Sequence, residues 1–301
     1  MEIIEYQGWP NCIRLANDKM LLVVTTDVGP RVIHLGFLDG PNLLKQVPEH
    51  LGATGGPEWR AYGGHRLWHA PEAMPRTYAP DNEPVAYDRD GETLSLVQPV
   101  EKSTGIQKEI EITLDPRQNR VTLVHRLINH NAWAVELAPW CLTVMAPGGR
   151  AIIPQEPYRP HPEYLLPARP LVLWHYTDMA DPRWRWSAKY VQLRQEPAAT
   201  TKQKVGMWNS HGWAAYALND DLFLKRFPCQ SDANYPDFGC NVELFCDSEI
   251  LEIESLGPIT LLPPDGGHVT HVENWFLFKA SVGEDDASID SALEPLLAMT
   301  E

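Results

Sequence analysis

Residues Ile106–Leu114 read IQKEIEITL, in which apolar positions mostly alternate with polar ones. Successive side chains of a β-strand point to opposite faces of a sheet, so the alternation predicts a half-solvated strand. Similar short runs fill most of the 301 residues, separated by turn signals such as Asp90-Gly91. Only the C-terminus, from Ala287 to Leu297, has helical periodicity. The pattern predicts an all-β fold, a large antiparallel β-sandwich with a short C-terminal helix.

Two long segments rich in Gly and Pro, residues 47–64 and 154–170, interrupt the strands. Strands of similar character resume after each segment, so we predict that both are loops and that residues 1–301 form a single domain. Hydrophobic residues make up 44% of the chain, enough for a large core. The 25 basic and 40 acidic residues give a net charge of −15, which argues against nucleic acid and membrane as partners.

The sequence favours a cytoplasmic protein. No apolar run approaches the roughly 20 residues that a membrane helix needs. The first residues, MEIIEYQGWPN, lack the basic and apolar regions of a secretory signal. The five cysteines show no CxxC spacing, which is typical of reduced thiols rather than of a disulfide or zinc framework.

The densest cluster of polar residues spans residues 62–72 and reads YGGHRLWHAPE. The Gly pair would let backbone approach a ligand, and the side chains that follow could bind a polar molecule. The alternative is a loop with inward-packed aromatic rings and solvated charges. A metal site would need His65 and His69 on one helical face, but Pro71 and the Gly pair oppose a helix, so no metal is predicted. The candidate ligand-binding residues here are His65, Arg66, Trp68 and His69.

A second cluster contains three glutamates. Glu252 and Glu254 are two residues apart on a predicted strand, so both point to the same face. Repulsion between such carboxylates raises one pKa, as a general acid or base near neutral pH requires. Glu243 lies in a similar predicted strand. The alternative is a solvated outer face of the sheet.

The chain has eleven tryptophans, and several lie close to Arg, His or Glu in the sequence, among them Trp68 and Trp140. A flat indole ring can cover the apolar face of a sugar while neighbouring polar groups bind its hydroxyls. The alternative is that these rings belong to the core. His211 lies in a tryptophan-rich stretch of the same kind.

These segments, in this order, resemble the galactose mutarotase-like (aldose 1-epimerase) superfamily, and in particular an uncharacterised branch of it. The resemblance covers nearly the whole chain. It is carried by Val28-Gly29-Pro30-Arg31 and by residues 63–68, 125–131, 140–149, 251–258 and 261–266. It implies a β-supersandwich with an open carbohydrate cleft. It also implies a reaction in which one group takes the anomeric hydroxyl proton and another protonates the ring oxygen.

The resemblance places the catalytic base at Glu254 and sugar contacts at His65 and Arg66. The family's usual general acid is a His in a Thr-His-x-Tyr-Phe-like motif, but the matching stretch, residues 142–147, reads LTVMAP and has no His. His65, His69 or His211 could replace it. The first hypothesis is therefore a mutarotase-type enzyme with Glu254 as base and His65 or His69 as the acid.

Two further hypotheses remain open. The first is a sugar-binding module without turnover. The second is a glycoside hydrolase or lyase that uses a carboxylate pair such as Glu243 and Glu254. In each case the expected partner is a small carbohydrate, and no cofactor is predicted. The predicted contacts with this ligand, besides the catalytic pair, are Arg66, Trp68, His69, Trp140, His211, Glu243 and Glu252.

Overall fold

The computed structural model describes residues 1–300. Two antiparallel sheets contain 21 strands. The first sheet contains β1 (Glu2–Tyr6), β2 (Trp9–Ala16), β3 (Met20–Thr25), β4 (Arg31–Phe37), β5 (His65–Ala70), β10 (Val135–Met145), β12 (Leu171–Leu173), β15 (Gln203–Met207), β18 (Val242–Cys246), β19 (Leu251–Leu256) and β20 (Thr260–Leu262). Across this sheet the order is β1-β2-β3-β4-β5-β10-β19-β18-β15-β12, and β20 pairs with one end of β10.

The second sheet contains β6 (Ala86–Asp90), β7 (Thr93–Val97), β8 (Ile106–Leu114), β9 (Arg120–Asn129), β11 (Arg150–Pro154), β13 (Trp184–Trp186), β14 (Tyr190–Arg194), β16 (Trp213–Leu218), β17 (Asp221–Arg226) and β21 (Gly267–Lys279). Its order is β13-β14-β11-β16-β17-β21-β9-β8-β7-β6. The alternation predicted for Ile106–Leu114 is confirmed, because every second side chain of β8 is buried.

Helical structure is limited to a 3₁₀ turn at Pro48–His50, a helical turn α1 (Pro236–Gly239) and the C-terminal helix α2 (Asp286–Leu297). Asp285 caps α2, because its side chain accepts a hydrogen bond from the Ser288 backbone N–H. Ile289 and Leu293 bury the apolar face of α2 against the outer face of the second sheet. The predicted all-β sandwich with a short C-terminal helix is thus confirmed.

The main hydrophobic core lies between the two sheets and takes side chains from both, for example Leu67 of β5 and Ile110 of β8. A separate cluster of buried rings lies on the other face of the first sheet, around Trp68 and Trp140. The centre of the first sheet is therefore covered on both faces. Its outer face is where the polar groups described below converge.

Residues 1–300 contain no helix with the length and apolar character needed to cross a membrane. The five cysteines, all within this range, are free thiols, and four of them are buried.

Candidate functional site

A cavity of about 510 Å³ opens on the outer face of the first sheet. Five neighbouring strands, β5, β10, β19, β18 and β15, form its floor, and the loops that carry Trp59, Tyr78, Trp174 and Tyr176 form its walls. The strand residues that line it are Arg66, Trp68, Trp140, Leu142, Val144, Lys204, Phe245, Glu252 and Glu254. The sequence-predicted residues that meet in this cavity are therefore Arg66, Trp68, Trp140, Glu252 and Glu254.

Glu254 is fully buried on β19 and lines the cavity. Its Oε2 accepts hydrogen bonds from Trp140 Nε1 at 2.7 Å and from Lys204 Nζ at 3.1 Å. Its Oε1 has no hydrogen-bond partner among residues 1–300. One oxygen is thus held by the protein, and the other is a buried acceptor whose lone pairs are unused.

Glu252 points to the same face as Glu254, as the two-residue spacing predicted, while Leu251 and Ile253 point into the core. Its Oε1 accepts a hydrogen bond from the Arg66 guanidinium at 3.2 Å. Burial raises the pKa of Glu252, and the charge of Glu254 adds to this effect while Arg66 opposes it. The expected pair of cavity carboxyl groups is present, and neither is on a solvated face.

Lys204 joins Glu254 to Glu243. Its Nζ lies 2.8 Å from Glu243 Oε2, and Glu243 is directly opposite Glu254 in the register of β18 and β19. Burial disfavours the charged form of Lys204, but the two carboxylates outweigh burial and raise its pKa well above the usual value. Burial raises the pKa of Glu243 well above its usual range, and the charges of Glu254 and Asp237 add to this effect while Lys204 opposes it.

The cavity wall is aromatic. Trp68 packs edge-on against Trp140, Trp59 and Tyr78, with ring centroids 5.0–5.7 Å apart. The Arg66 guanidinium lies 4.6 Å from the centroid of the Trp68 ring. Tyr78 donates a hydrogen bond from its hydroxyl to Glu72, and burial raises the pKa of Tyr176 to about 12. Both phenols are therefore hydrogen-bond donors at neutral pH.

His65 and His69 do not reach this cavity. The stretch expected to be a loop forms strand β5, so alternate residues face opposite ways. Arg66 and Trp68 face the cavity, whereas His65 and His69 face the space between the sheets and are fully buried. His69 Nε2 lies 3.3 Å from Glu101 Oε2, and His65 Nε2 lies 2.8 Å from His125 Nε2. His65, expected as the acid, and His69, expected as a sugar contact, therefore both lie outside the cavity.

The other predicted residues lie elsewhere. His211 lines a different cavity of about 490 Å³, formed with Trp213, the Pro-rich segment and α2. Glu243 is fully buried behind Lys204 and does not line the first cavity. Neither of these predicted ligand contacts thus lies in the first cavity, although Glu243 contacts Lys204, which does. No histidine lines the first cavity within the described part of the chain.

One group of buried side chains has the atoms of a metal site. The ligand atoms of His65, His125 and Glu273 lie within 4.8 Å of one another, as do those of Cys141, His271 and Glu273. However, Glu273 already accepts hydrogen bonds from Lys225, Ser255 and Trp275. The lone pairs of the Glu273 carboxylate are thus used within the protein. We therefore interpret these side chains as a hydrogen-bonded network between the sheets and not as a metal site.

The predicted ligand contacts did not include five of the cavity residues: Trp59, Tyr78, Trp174, Tyr176 and Lys204. Lys204 lies between Gln203 and Val205, which face the core, so strand alternation would have placed it on the outer face. The four aromatic residues come from loops, and no periodic pattern places them.

The chain is therefore a two-sheet antiparallel sandwich with an aromatic-walled polar cavity on one sheet. Its fold is the galactose mutarotase-like fold, as comparison with solved structures shows. A galactose mutarotase-like protein from Lactobacillus casei matches with a TM-score of 0.59 and 10% identity, over 89% of this chain and 100% of that one. No protein-family model matches the chain, and no curated protein gives a significant sequence match.

Larger proteins contain the same fold. A TPR-domain containing protein from Parabacteroides distasonis matches with a TM-score of 0.59 and 15% identity, over 90% of this chain and 48% of that one. A GH36 alpha-galactosidase from Geobacillus stearothermophilus matches with a TM-score of 0.51 and 12% identity, over 93% of this chain and 41% of that one. The chain thus spans about half the length of these two proteins or less, and at such low identities the likeness establishes the fold alone.

Proposed function

We propose that the cavity binds a carbohydrate and interconverts the anomers of an aldose, with Glu254 as the catalytic base. The observation that carries this proposal is the free Oε1 of a buried carboxylate in an aromatic-walled cavity. Because this carboxylate is buried, only a sugar bound in the cavity could transfer its anomeric hydroxyl proton to Glu254. The likeness to galactose mutarotase-like proteins supports sugar as the ligand.

The residues around Glu254 have complementary tasks in this reaction. The proton of the anomeric hydroxyl passes to Glu254 Oε1 while the bond between the anomeric carbon and the ring oxygen breaks and the ring oxygen gains a proton. The open-chain aldehyde then rotates, and the ring closes on its other face. Trp68 and Trp140 offer flat surfaces for the sugar ring, and Arg66 and Glu252 offer a donor and an acceptor for its hydroxyls.

A Glu254→Gln variant tests the base. Gln keeps the size of the side chain but cannot take up a proton, so the rate of anomer exchange should fall by about 10²–10⁴-fold. NMR exchange measurements on a panel of aldoses give the rate. The matched control is Glu136→Gln, which changes an exposed carboxylate of β10. Equal rates for wild type and Glu254→Gln would exclude Glu254 as the base.

A second candidate function is sugar binding without turnover. It is favoured by the lack of any histidine among the residues that line the cavity within residues 1–300. It predicts that aldoses change tryptophan fluorescence in the wild-type protein while anomer exchange stays at the uncatalysed rate. Measuring both on the same sugar separates the two functions.

The arrangement of Glu243 and Glu254 gives less support to a glycoside hydrolase. Glycosidases place their two carboxyl groups on either side of the scissile bond. Here the two are cross-strand neighbours on one sheet face, and both bind Lys204.

A further inference from the structure

Two lysines, Lys202 and Lys204, line the first cavity within residues 1–300; Lys204 is buried at its floor, and Lys202 is exposed. The Lys204 ammonium group lies between two indole rings, 4.7 Å from the centroid of Trp140 and 4.8 Å from that of Trp174. Glu243 and Glu254 take two of its contacts, at 2.8 Å and 3.1 Å. An ammonium group has three N–H donors, so one remains for a ligand in the cavity.

We propose that Lys204 is the proton donor to the ring oxygen of the sugar, working as the partner of Glu254. This inference rests on the proposed anomer exchange. As the ring opens, one Lys204 N–H bond breaks and an O–H bond forms at the ring oxygen, while Glu254 Oε1 takes the anomeric proton. Ring closure reverses both transfers, so each turnover leaves both residues in their starting states.

The contact between Lys204 and Glu254 provides a reason for the lysine to release its proton at the right moment. In the resting site two carboxylates stabilise the ammonium ion. When Glu254 takes the anomeric proton it becomes neutral, and Lys204 loses the negative charge of the carboxylate to which it is hydrogen-bonded. In a buried site this loss makes the ammonium group more acidic. Protonation of the base thus activates the acid 3.1 Å away.

Glu243 has a positioning role in this scheme. It lies behind Lys204 with no access to the cavity, and it still contacts the ammonium group after Glu254 has been neutralised. A lysine side chain has four rotatable carbon–carbon bonds, so a second buried partner restricts where its Nζ can lie. Trp140 and Trp174 restrict the remaining directions.

The test compares Lys204→Ala and Lys204→Arg with wild type. Sugar affinity is measured by tryptophan fluorescence, and kcat for anomer exchange by NMR. We expect Lys204→Ala to lower kcat by about 10²–10⁴-fold, and added methylamine or ethylamine to restore part of it in proportion to amine concentration. Tetramethylammonium, which has no N–H, is the control and should restore nothing.

Lys204→Arg covers the case in which removal of the buried charge prevents folding. Arginine keeps the positive charge between the two carboxylates but does not release a proton in proteins. This variant should fold and bind the sugar, with kcat as low as that of Lys204→Ala. A wild-type kcat in Lys204→Arg, or a folded Lys204→Ala that amines do not rescue, would overturn the role of Lys204. Wild-type protein without anomer exchange would instead overturn the proposed function, and this inference with it.

Discussion

The two oxygens of Glu254 have different surroundings, and this difference orients the carboxylate. Trp140 Nε1 and Lys204 Nζ both bond Oε2, which fixes the plane of the group. Hydrogen bonds to a charged group are stronger than those between neutral groups, so the two donors also offset part of the cost of burying the charge. The position of Oε1 is thus set by residues of two other strands, β10 and β15.

At the scale of single residues, Trp140→Phe should affect both stability and turnover. Phe keeps an aromatic ring in the wall but removes the indole N–H that bonds Glu254 Oε2. Loss of a hydrogen bond to a charged group costs about 1.5–3 kcal/mol of unfolding free energy. The rate of anomer exchange should also fall, because Glu254 is then held by Lys204 alone. Urea denaturation and NMR exchange measure the two effects.

The matched control for this prediction is Trp68→Phe. Trp68 packs against Trp140 in the same wall, but its ring bonds no carboxylate among residues 1–300. Trp68→Phe should lower the unfolding free energy only through the lost packing of the larger ring, and it should leave the orientation of Glu254 unchanged. Equal losses of exchange rate in the two variants would show that ring size, and not the N–H group, matters at Trp140.

At the scale of elements, the Gly pair before β5 sets the position of the strand. Gly63 and Gly64 have φ values of +94° and +70°. A Cβ at Gly63 would lie 2.2 Å from Lys45 O, and one at Gly64 the same distance from Val32 O. The pair thus brings β5 close to neighbouring backbone, and that placement directs Arg66 into the cavity.

Gly64→Ala should therefore destabilise the fold by more than its backbone strain alone. A left-handed alanine costs about 1–2 kcal/mol, and forcing Cβ against the Val32 backbone adds roughly 1–3 kcal/mol. Gly91→Ala separates the two contributions, because Gly91 has φ +57° with nothing within 4 Å of its added Cβ. Thermal or urea unfolding of both variants measures the difference. Equal losses would exclude the close contact as a cause.

Strand alternation explains which parts of the site could be predicted from the sequence. It places Glu252 and Glu254 on one face, because their stretch has the pattern of a strand. The Gly pair and Pro71 favour a loop for residues 65–70, and a loop would let His65 and Arg66 contact the same ligand. They lie on opposite faces of β5. Applying the same period-two rule to β5 would have separated them.

The partners of Lys204 could not be predicted in this way. Glu243 and Glu254 are 39 and 50 residues away in the sequence and come together only because β15, β18 and β19 are adjacent in the sheet. The strand order of a large antiparallel sheet depends on long-range pairing, which no local pattern specifies. For the same reason, the sequence supported the all-β sandwich and the C-terminal helix but not which strands border the cavity.

At the scale of the whole molecule, a buried polar network joins the two sheets. His65 of β5 contacts His125 of β9 at 2.8 Å, and Ser255 of β19 contacts His271 and Glu273 of β21 at 2.8 Å and 2.6 Å. Burial lowers the pKa of His65 well below its usual value, lowers that of His125, and lowers that of His271 to about 3. All three imidazoles are therefore neutral in the folded protein at neutral pH.

The neutral histidines predict that stability falls as the pH drops below about 6.5, the pKa of histidine in an unfolded chain. Below that pH the unfolded chain binds protons that the folded protein excludes, at about 1.4 kcal/mol per pH unit for each such histidine. Urea midpoints between pH 7.5 and 5 measure the slope. His271→Gln should reduce this slope by the contribution of one histidine. His268→Gln changes an exposed residue of β21 and should leave the slope unchanged. An equal slope in His271→Gln and wild type would contradict this interpretation, because loss of a neutral buried imidazole must change the number of protons taken up on unfolding.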